Sequence, residues 1–262
     1  MRPKRTITGA LALTFAIALT AAAAWLSTGV GGVTLTGKMA LVIYATTETG
    51  SVGFVPIVLL VALAILATDR AIPAPQRRRD ALGLLVVLTL SLPAVAFVVE
   101  AVVKPTFVQS RPSHVRMSEA GLIPDLEAFY GLDKSARRSW LAEQIPESGA
   151  DSVATVLAVH RVVLAHWTHE AGSTFPSAHA VNAFIAATLF LAAAIAAPTG
   201  RRRALAVLLL TWAIAVSMSR VLLLVHRPLD VGVGAVFGAA VGGLLTLVWW
   251  RCTQSRSVRS RS

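Results

Sequence analysis

Six long apolar runs constrain this chain more than anything else in it. A helix of about 20 apolar residues crosses the hydrocarbon of a bilayer, and runs of that order recur at 7–26, 52–68, 81–103, 180–197, 204–225 and 231–250. A soluble core in a chain of 262 residues does not need so many, and the mean hydropathy of +0.69 agrees. The expected fold class is an all-α polytopic membrane protein with six transmembrane helices. Pro93 inside the third run predicts a kink, and the glycines of the sixth predict close helix contact. The first run follows Arg2, Lys4 and Arg5, so a cleaved signal peptide is its rival reading, but its length favours a retained anchor. The apolar stretch 39–45 is too short to cross and is expected at the interface.

The net charge of +11 invites a nucleic-acid partner, yet its distribution argues for a membrane. Arg70 with Arg77, Arg78 and Arg79, then Arg201, Arg202 and Arg203, then Arg251, Arg256, Arg259 and Arg261 all flank apolar runs. Short cytoplasmic segments collect Lys and Arg in this way, so the arginine triplets read as topology charges. That rule places both termini, the 69–80 link and the 198–203 link in the cytoplasm of a cell with this protein in its cytoplasmic membrane. Segments 29–50, 104–175 and 219–230 then lie outside. Residues 105–175 form the one long hydrophilic stretch, expected as a small helical cap between spans 3 and 4, with helices near 126–144 and 151–167. The whole of 1–262 reads as one domain, with 251–262 a basic tail. A lone Cys252 excludes an intrachain disulfide.

Three polar islands touch these runs, and charges in hydrocarbon are expensive enough to be kept for a use. They are Lys104-x6-Arg111-Pro112, Pro176-Ser177-Ala178-His179, and Ser219-Arg220-x5-His226-x3-Asp230. The topology puts all three on the external face. Lys104, Arg111 and Arg220 would converge on an anion, with arginine suited to forked contact with phosphate oxygens. Ser177 stands at a helix N-cap, whose free N–H groups also attract anions, and His179 sits in the first turn. His226 and Asp230 are four apart, close enough for the carboxylate to fix the imidazole tautomer and leave the other nitrogen as nucleophile or base. A phosphoryl group held by three cations, attacked by one histidine and released with a proton from the other, is a complete mechanism. It needs no metal or other cofactor, and the carboxylates are too few and scattered for a two-magnesium site.

These motifs, in this order, resemble those of the type 2 phosphatidic acid phosphatase superfamily, K-x6-RP, PSGH and SR-x5-H-x3-D. The resemblance covers essentially the whole chain. It is narrower toward the bacterial phosphatidylglycerophosphatase B branch, through Thr47-Glu48, the cap segment Pro124-Asp-Leu-Glu-Ala-Phe-Tyr130, and His166-Trp-Thr-His-Glu170-Ala-Gly172. It implies a six-span lipid phosphatase with an outward-facing site. His226 would be the nucleophile that forms a phosphohistidine, oriented by Asp230, and His179 the acid that protonates the leaving oxygen and then activates water. Lys104, Arg111, Arg220, Ser177 and the Ala178 backbone would hold the phosphate. Ala178 stands where the family has glycine; a helical φ there would keep the donor and add only a methyl group, whereas a need for positive φ or close approach of phosphate would make alanine strain or narrow the pocket.

The implied partners are a lipid phosphate and the bilayer, with no nucleic acid and no obligate protein. Phosphatidylglycerophosphate, phosphatidic acid, diacylglycerol pyrophosphate and undecaprenyl pyrophosphate all carry the required terminal phosphate. A vanadate-dependent haloperoxidase uses a similar anion constellation, but the membrane spans count against it. An anionic-lipid transporter or binding protein could use the same cations without turnover. Glu100, four residues before Lys104, reads as its ion-pair partner. Glu170 and His169 are candidate headgroup contacts whose competing reading is a solvated cap face. His114, His160 and His166 lack metal-ligand spacing.

Overall fold

The computed structural model describes residues 34–259, with side chains as far as Arg251, and the first apolar run lies outside the described residues. No strand is present among the described residues; the architecture is all-helical. In chain order the helices are α1 (Gly37–Glu48), α2 (Val55–Ala67), α3 (Ala74–Val98), α4 (Pro112–Glu119), α5 (Leu126–Gly131), α6 (Lys134–Gln144), α7 (Ala150–Val156), α8 (Arg161–His169), α9 (Ala178–Ala196), α10 (Gly200–Leu222) and α11 (Pro228–Arg259). Four helical stretches are long and apolar enough to cross a membrane: Ala74–Thr106, α9, α10 and Pro228–Arg251. α2 is a shorter apolar helix of 13 residues. The expected span count is therefore met for four helices.

α9 forms the centre of the bundle. It is apolar around its whole circumference, which suits a helix with neighbours on every side, and Val181, Phe184, Ile185, Ala186 and Leu189 are all buried. α10, α11 and α3 pack around it. The seam with α11 is a stripe of glycines spaced by four, Gly234, Gly238 and Gly242. A Cβ on Gly234 would stand 2.7 Å from the Ser177 carbonyl oxygen, and one on Gly238 would stand 2.3 Å from that of Val181. Only hydrogen fits, so the two backbones touch directly. This is the close contact expected from the composition of the sixth run.

α3 continues as a helix through Pro93, widens to π pitch at Val99–Val103, and ends in a helical turn, Lys104–Thr106. The cap comprises α4 to α8, and its core includes Met117, Phe129, Leu141, Val163, Leu164 and Trp167 together with Leu223 and Val225 beyond α10. Cap and bundle thus share one apolar cluster. Each of the two long cap helices expected from the sequence is in fact a pair. The first breaks where Asp133 caps α6, accepting from the Ser135 and Ala136 N–H groups. The second breaks at Ala158, with φ of +48°, and at His160, whose Nδ1 accepts from the Val162 N–H as the cap of α8.

At the end of the bundle where α10 begins, Arg202 is buried, donating to Asp80 at 2.9 Å with Asp69 at 3.8 Å. The reading of the arginine triplet as topology charges alone is therefore corrected for its middle member. Its carboxylate partners lie on the link before α3 and in its first turns, far away in sequence, and Thr199 ties Asp69 to the start of α10.

Candidate active site

The third island closes the opposite end of α10. Arg220 lies in the last turn of that helix, and the chain then turns through Leu224, with φ of +57°, to reach Pro228 at the start of α11. Three successive carbonyls in this turn are claimed. Trp167 Nε1 donates to Leu223 O at 2.6 Å, Ser113 N to Leu224 O at 2.8 Å and Arg111 to Val225 O at 2.8 Å. His226 is thereby held in a buried loop, its own N–H bonded to Arg220 O. Asp230 Oδ2 accepts from Thr174 Oγ1 at 2.5 Å and from Arg227 N at 2.7 Å, and stands 3.8 Å from His226 Nδ1. The carboxylate therefore faces the imidazole at four-residue spacing without a formed hydrogen bond. Burial, then the fields of Arg111, Arg220 and Lys104, push His226 well below the usual histidine pKa. Its imidazole is neutral, the form with a lone pair to give.

Arg111 and Arg220, 109 positions apart in the sequence, meet on one carboxylate. Glu170 Oε2 lies 2.9 Å from Arg111, and Glu170 Oε1 accepts from Arg220 at 2.6 Å. Desolvation alone would raise the pKa of Glu170, but Arg220 and then Arg111 outweigh it and hold the carboxyl well below its usual range. The alternative of a solvated cap face for Glu170 is thus overturned. His169 beside it is exposed, and its carbonyl accepts from Arg138.

Arg111 also donates through Nε to Gly172 O, and its backbone N–H donates to Tyr130 Oη at 2.8 Å. Its guanidinium thus braces the approach to α9 against the His226 loop. Lys104 is buried and paired with Glu100, as the four-residue spacing predicts, and Lys134 from the cap binds the other Glu100 oxygen at 2.9 Å.

The second island joins the same cluster through backbone. Ser177 is the N-cap of α9, and its N–H donates to Asp230 O at 3.0 Å, a contact that Gly234 permits. Its hydroxyl is buried without a hydrogen-bond partner and caps nothing. Ala178 opens the helix, and among the described residues Ala158 and Leu224 are the only non-glycine residues with positive φ. Alanine therefore keeps the backbone donor of that position without strain. His179 is half-buried in the first turn, within electrostatic reach of Arg220, Glu170, His166 and Lys104. Besides Ser177 Oγ, Arg220 Nε, His226 Nδ1 and Asp230 Oδ1 are buried and unpartnered. Four unsatisfied polar groups in one cluster are costly unless something binds there.

Residues outside the three islands complete the arrangement. His166 Nε2 lies 3.0 Å from Arg220 NH1, and Thr47 Oγ1 accepts from the same nitrogen at 3.0 Å. Burial, then Arg220, depress the His166 pKa to about 3, so its Nε2 is an acceptor for the guanidinium. The repeated resemblance at Thr47-Glu48 and His166 to Gly172 carried the only sequence signal for these groups. His114 lies within the cap, 2.7 Å from Tyr130 Oη, and His160 caps α8.

A sequence profile described as the PAP2 superfamily matches residues 81–254. Phosphatidylglycerophosphatase B of Escherichia coli K12 is 30% identical over 149 residues, 56% of this chain and 54% of that protein. The proteins of the same name from Escherichia coli O157:H7 and Shigella flexneri match to the same extent. The chain thus spans about half the length of the curated relatives it matches.

Proposed function

The chain belongs to the PAP2 superfamily, and from that membership and the site geometry we propose that it is an integral-membrane lipid phosphatase. Its substrate class is a lipid ending in a phosphate monoester or pyrophosphate. The observation that carries this reading is the convergence of all three islands: Arg111 and Arg220 on Glu170, and Ser177, Thr174 and His226 around Asp230. The name shared by the relatives supports a phospholipid phosphate as substrate.

In the proposed reaction Arg220, Arg111, Lys104, the Ser177 hydroxyl and the first N–H groups of α9 hold the phosphoryl oxygens. The neutral His226 attacks phosphorus with the nitrogen turned away from Asp230. A nitrogen–phosphorus bond forms as the bond to the lipid oxygen breaks, and His179 gives that oxygen its proton. His179 then takes a proton from water, whose oxygen displaces His226 and releases phosphate. Asp230 orients His226 and stabilises the positive charge it acquires. The cations perform the charge stabilisation, so no metal enters the scheme.

The proposed topology has six spans, the first run and α2 joining the four long helices. The termini are cytoplasmic, the site faces outward, and 105–175 caps it. The test is phosphate release from phosphatidylglycerophosphate, phosphatidic acid, diacylglycerol pyrophosphate and undecaprenyl pyrophosphate in detergent with EDTA present. Turnover of at least one, lost in His226→Ala while inorganic phosphate still binds, is the expected result. Strict metal dependence would sink the histidine mechanism, and binding without turnover of any of the four would favour an anionic-lipid carrier.

A further inference from the structure

The segment that precedes the profile-matched region reaches the heart of the site. It is tied down at both ends. Leu35 pairs with Val159, and His160 N donates to Leu35 O at 2.6 Å, which fixes its start to the cap. At its other end Trp212 Nε1 donates to Thr49 Oγ1 at 3.0 Å, and a Cβ on Gly50 would meet Val216 Cγ1 at 2.4 Å and His179 Cδ2 at 3.2 Å. α1 is thus a strap laid from the cap to α10, with Thr47 of its last turn against Arg220 and Gly50 just beyond it against His179.

The contacts of Arg220 show what the strap does. Its NH1 carries two hydrogens, and two acceptors face it at 3.0 Å: Thr47 Oγ1 from α1 and His166 Nε2 from α8. His166 is fixed in turn by the edge of the Tyr44 ring, at 5.6 Å between centroids, and faces Glu48 Oε1 across 3.7 Å from Nδ1. Both Tyr44 and Glu48 are also on α1. With NH1 saturated and Glu170 on NH2, the buried Nε–H is left without a partner. A guanidinium held on one side and unsatisfied on the other is aimed, not merely buried.

We propose that Thr47 and His166 are positioning residues that aim Arg220 at the phosphate, which makes α1 an obligatory part of the site. The inference rests on the lipid phosphatase reading for its catalytic consequence but not for its anion-binding consequence. Side-chain packing alone would be served equally by valine at position 47. Aiming requires the hydroxyl, because a donor that loses a fixed acceptor in a buried site is free to turn away.

The experiment compares Thr47→Val, Thr47→Ser and His166→Phe with the unaltered chain. It reads orthovanadate affinity, kcat/KM for phosphate release from phosphatidic acid, and the thermal unfolding midpoint in detergent. Thr47→Val and His166→Phe should each weaken vanadate binding and lower kcat/KM by about tenfold or more, the value of a hydrogen bond to a charged group. Thr47→Ser should restore both to within about twofold. Unchanged vanadate affinity and kcat/KM in Thr47→Val overturn the proposal, as does an equal loss in Thr47→Ser accompanied by a lowered midpoint. If the unaltered chain binds vanadate but hydrolyses none of the lipids, the phosphatase reading fails, and the vanadate comparison still decides the role of Thr47.

Discussion

The two ends of α10 each bury an arginine, and they do so with opposite charge ratios. Arg202 and Arg220 are 18 residues apart on one helix, about 27 Å along its axis. At the first end two carboxylates, Asp69 and Asp80, serve one guanidinium. At the second, one carboxylate, Glu170, serves two guanidiniums, Arg220 and Arg111. At the first end carboxylates meet the guanidinium from two sides, and the cluster pins the 69–80 link to α10. At the second, two guanidiniums share one carboxylate, and Arg220 Nε is left buried without a partner. The same residue type is thus a fastener at one end and, in the proposed reaction, a phosphate ligand at the other, and the difference lies in the partners.

The comparison breaks most visibly if chemistry is removed from one end only. His226→Ala should lower phosphate release by at least about a thousandfold, with inorganic phosphate binding and the unfolding midpoint retained. A residual rate within tenfold of the unaltered chain would mean that another group is the nucleophile. At the fastening end, Asp80→Leu leaves buried Arg202 short of its closest carboxylate and should cost about 3–5 kcal/mol of stability in denaturant titration. The folded fraction should keep its kcat/KM. Adding Arg202→Met to that variant should recover most of the loss, since two apolar side chains can replace a buried pair. Failure to recover would show that Asp69 needs the guanidinium as well.

Arg220→Lys sharpens the contrast further. Lysine keeps the charge but not the fork, so kcat/KM should fall about tenfold to a hundredfold with little change in midpoint. The mildest effect is on pH dependence. His114 is held neutral, its pKa depressed to about 3 by burial and then by Arg111, whereas the unfolded chain titrates near 6.5. Between those values the unfolded state binds the extra proton, so stability falls as pH drops from about 6.5 toward 3. One such histidine contributes a slope of at most about 1.4 kcal/mol per pH unit. His114→Gln should flatten the stability curve by up to that amount in this window and leave it unchanged above pH 7.

The apolar runs and motif spacings made the four long helices and the residues of the three islands legible, because both depend on neighbours close in sequence. Lys104 with Glu100 and His226 with Asp230 are four-residue relations of that kind. Glu170 was only a candidate headgroup contact, because its two arginines come from distant elements and nothing in its own surroundings reveals them. Arg202 looks like a topology charge in sequence for the same reason, its partners Asp69 and Asp80 lying more than 120 positions earlier. The cap helices were joined where Asp133 and Ala158 separate them, since capping by aspartate and a left-handed alanine leave little trace in apolar periodicity.

The glycine seam between α9 and α11 has a mechanical consequence. His179 rides on one side of it, and Asp230 sits at the start of the other helix. A contact made of backbone atoms has no rotamers to exchange, so a tilt of either helix is carried to the other rather than absorbed between them. In a sheet of fluid lipid whose thickness and lateral pressure vary, such a joint works as a fixed gauge. It lets the bundle lean while the spacing between His179 and Asp230 stays the same.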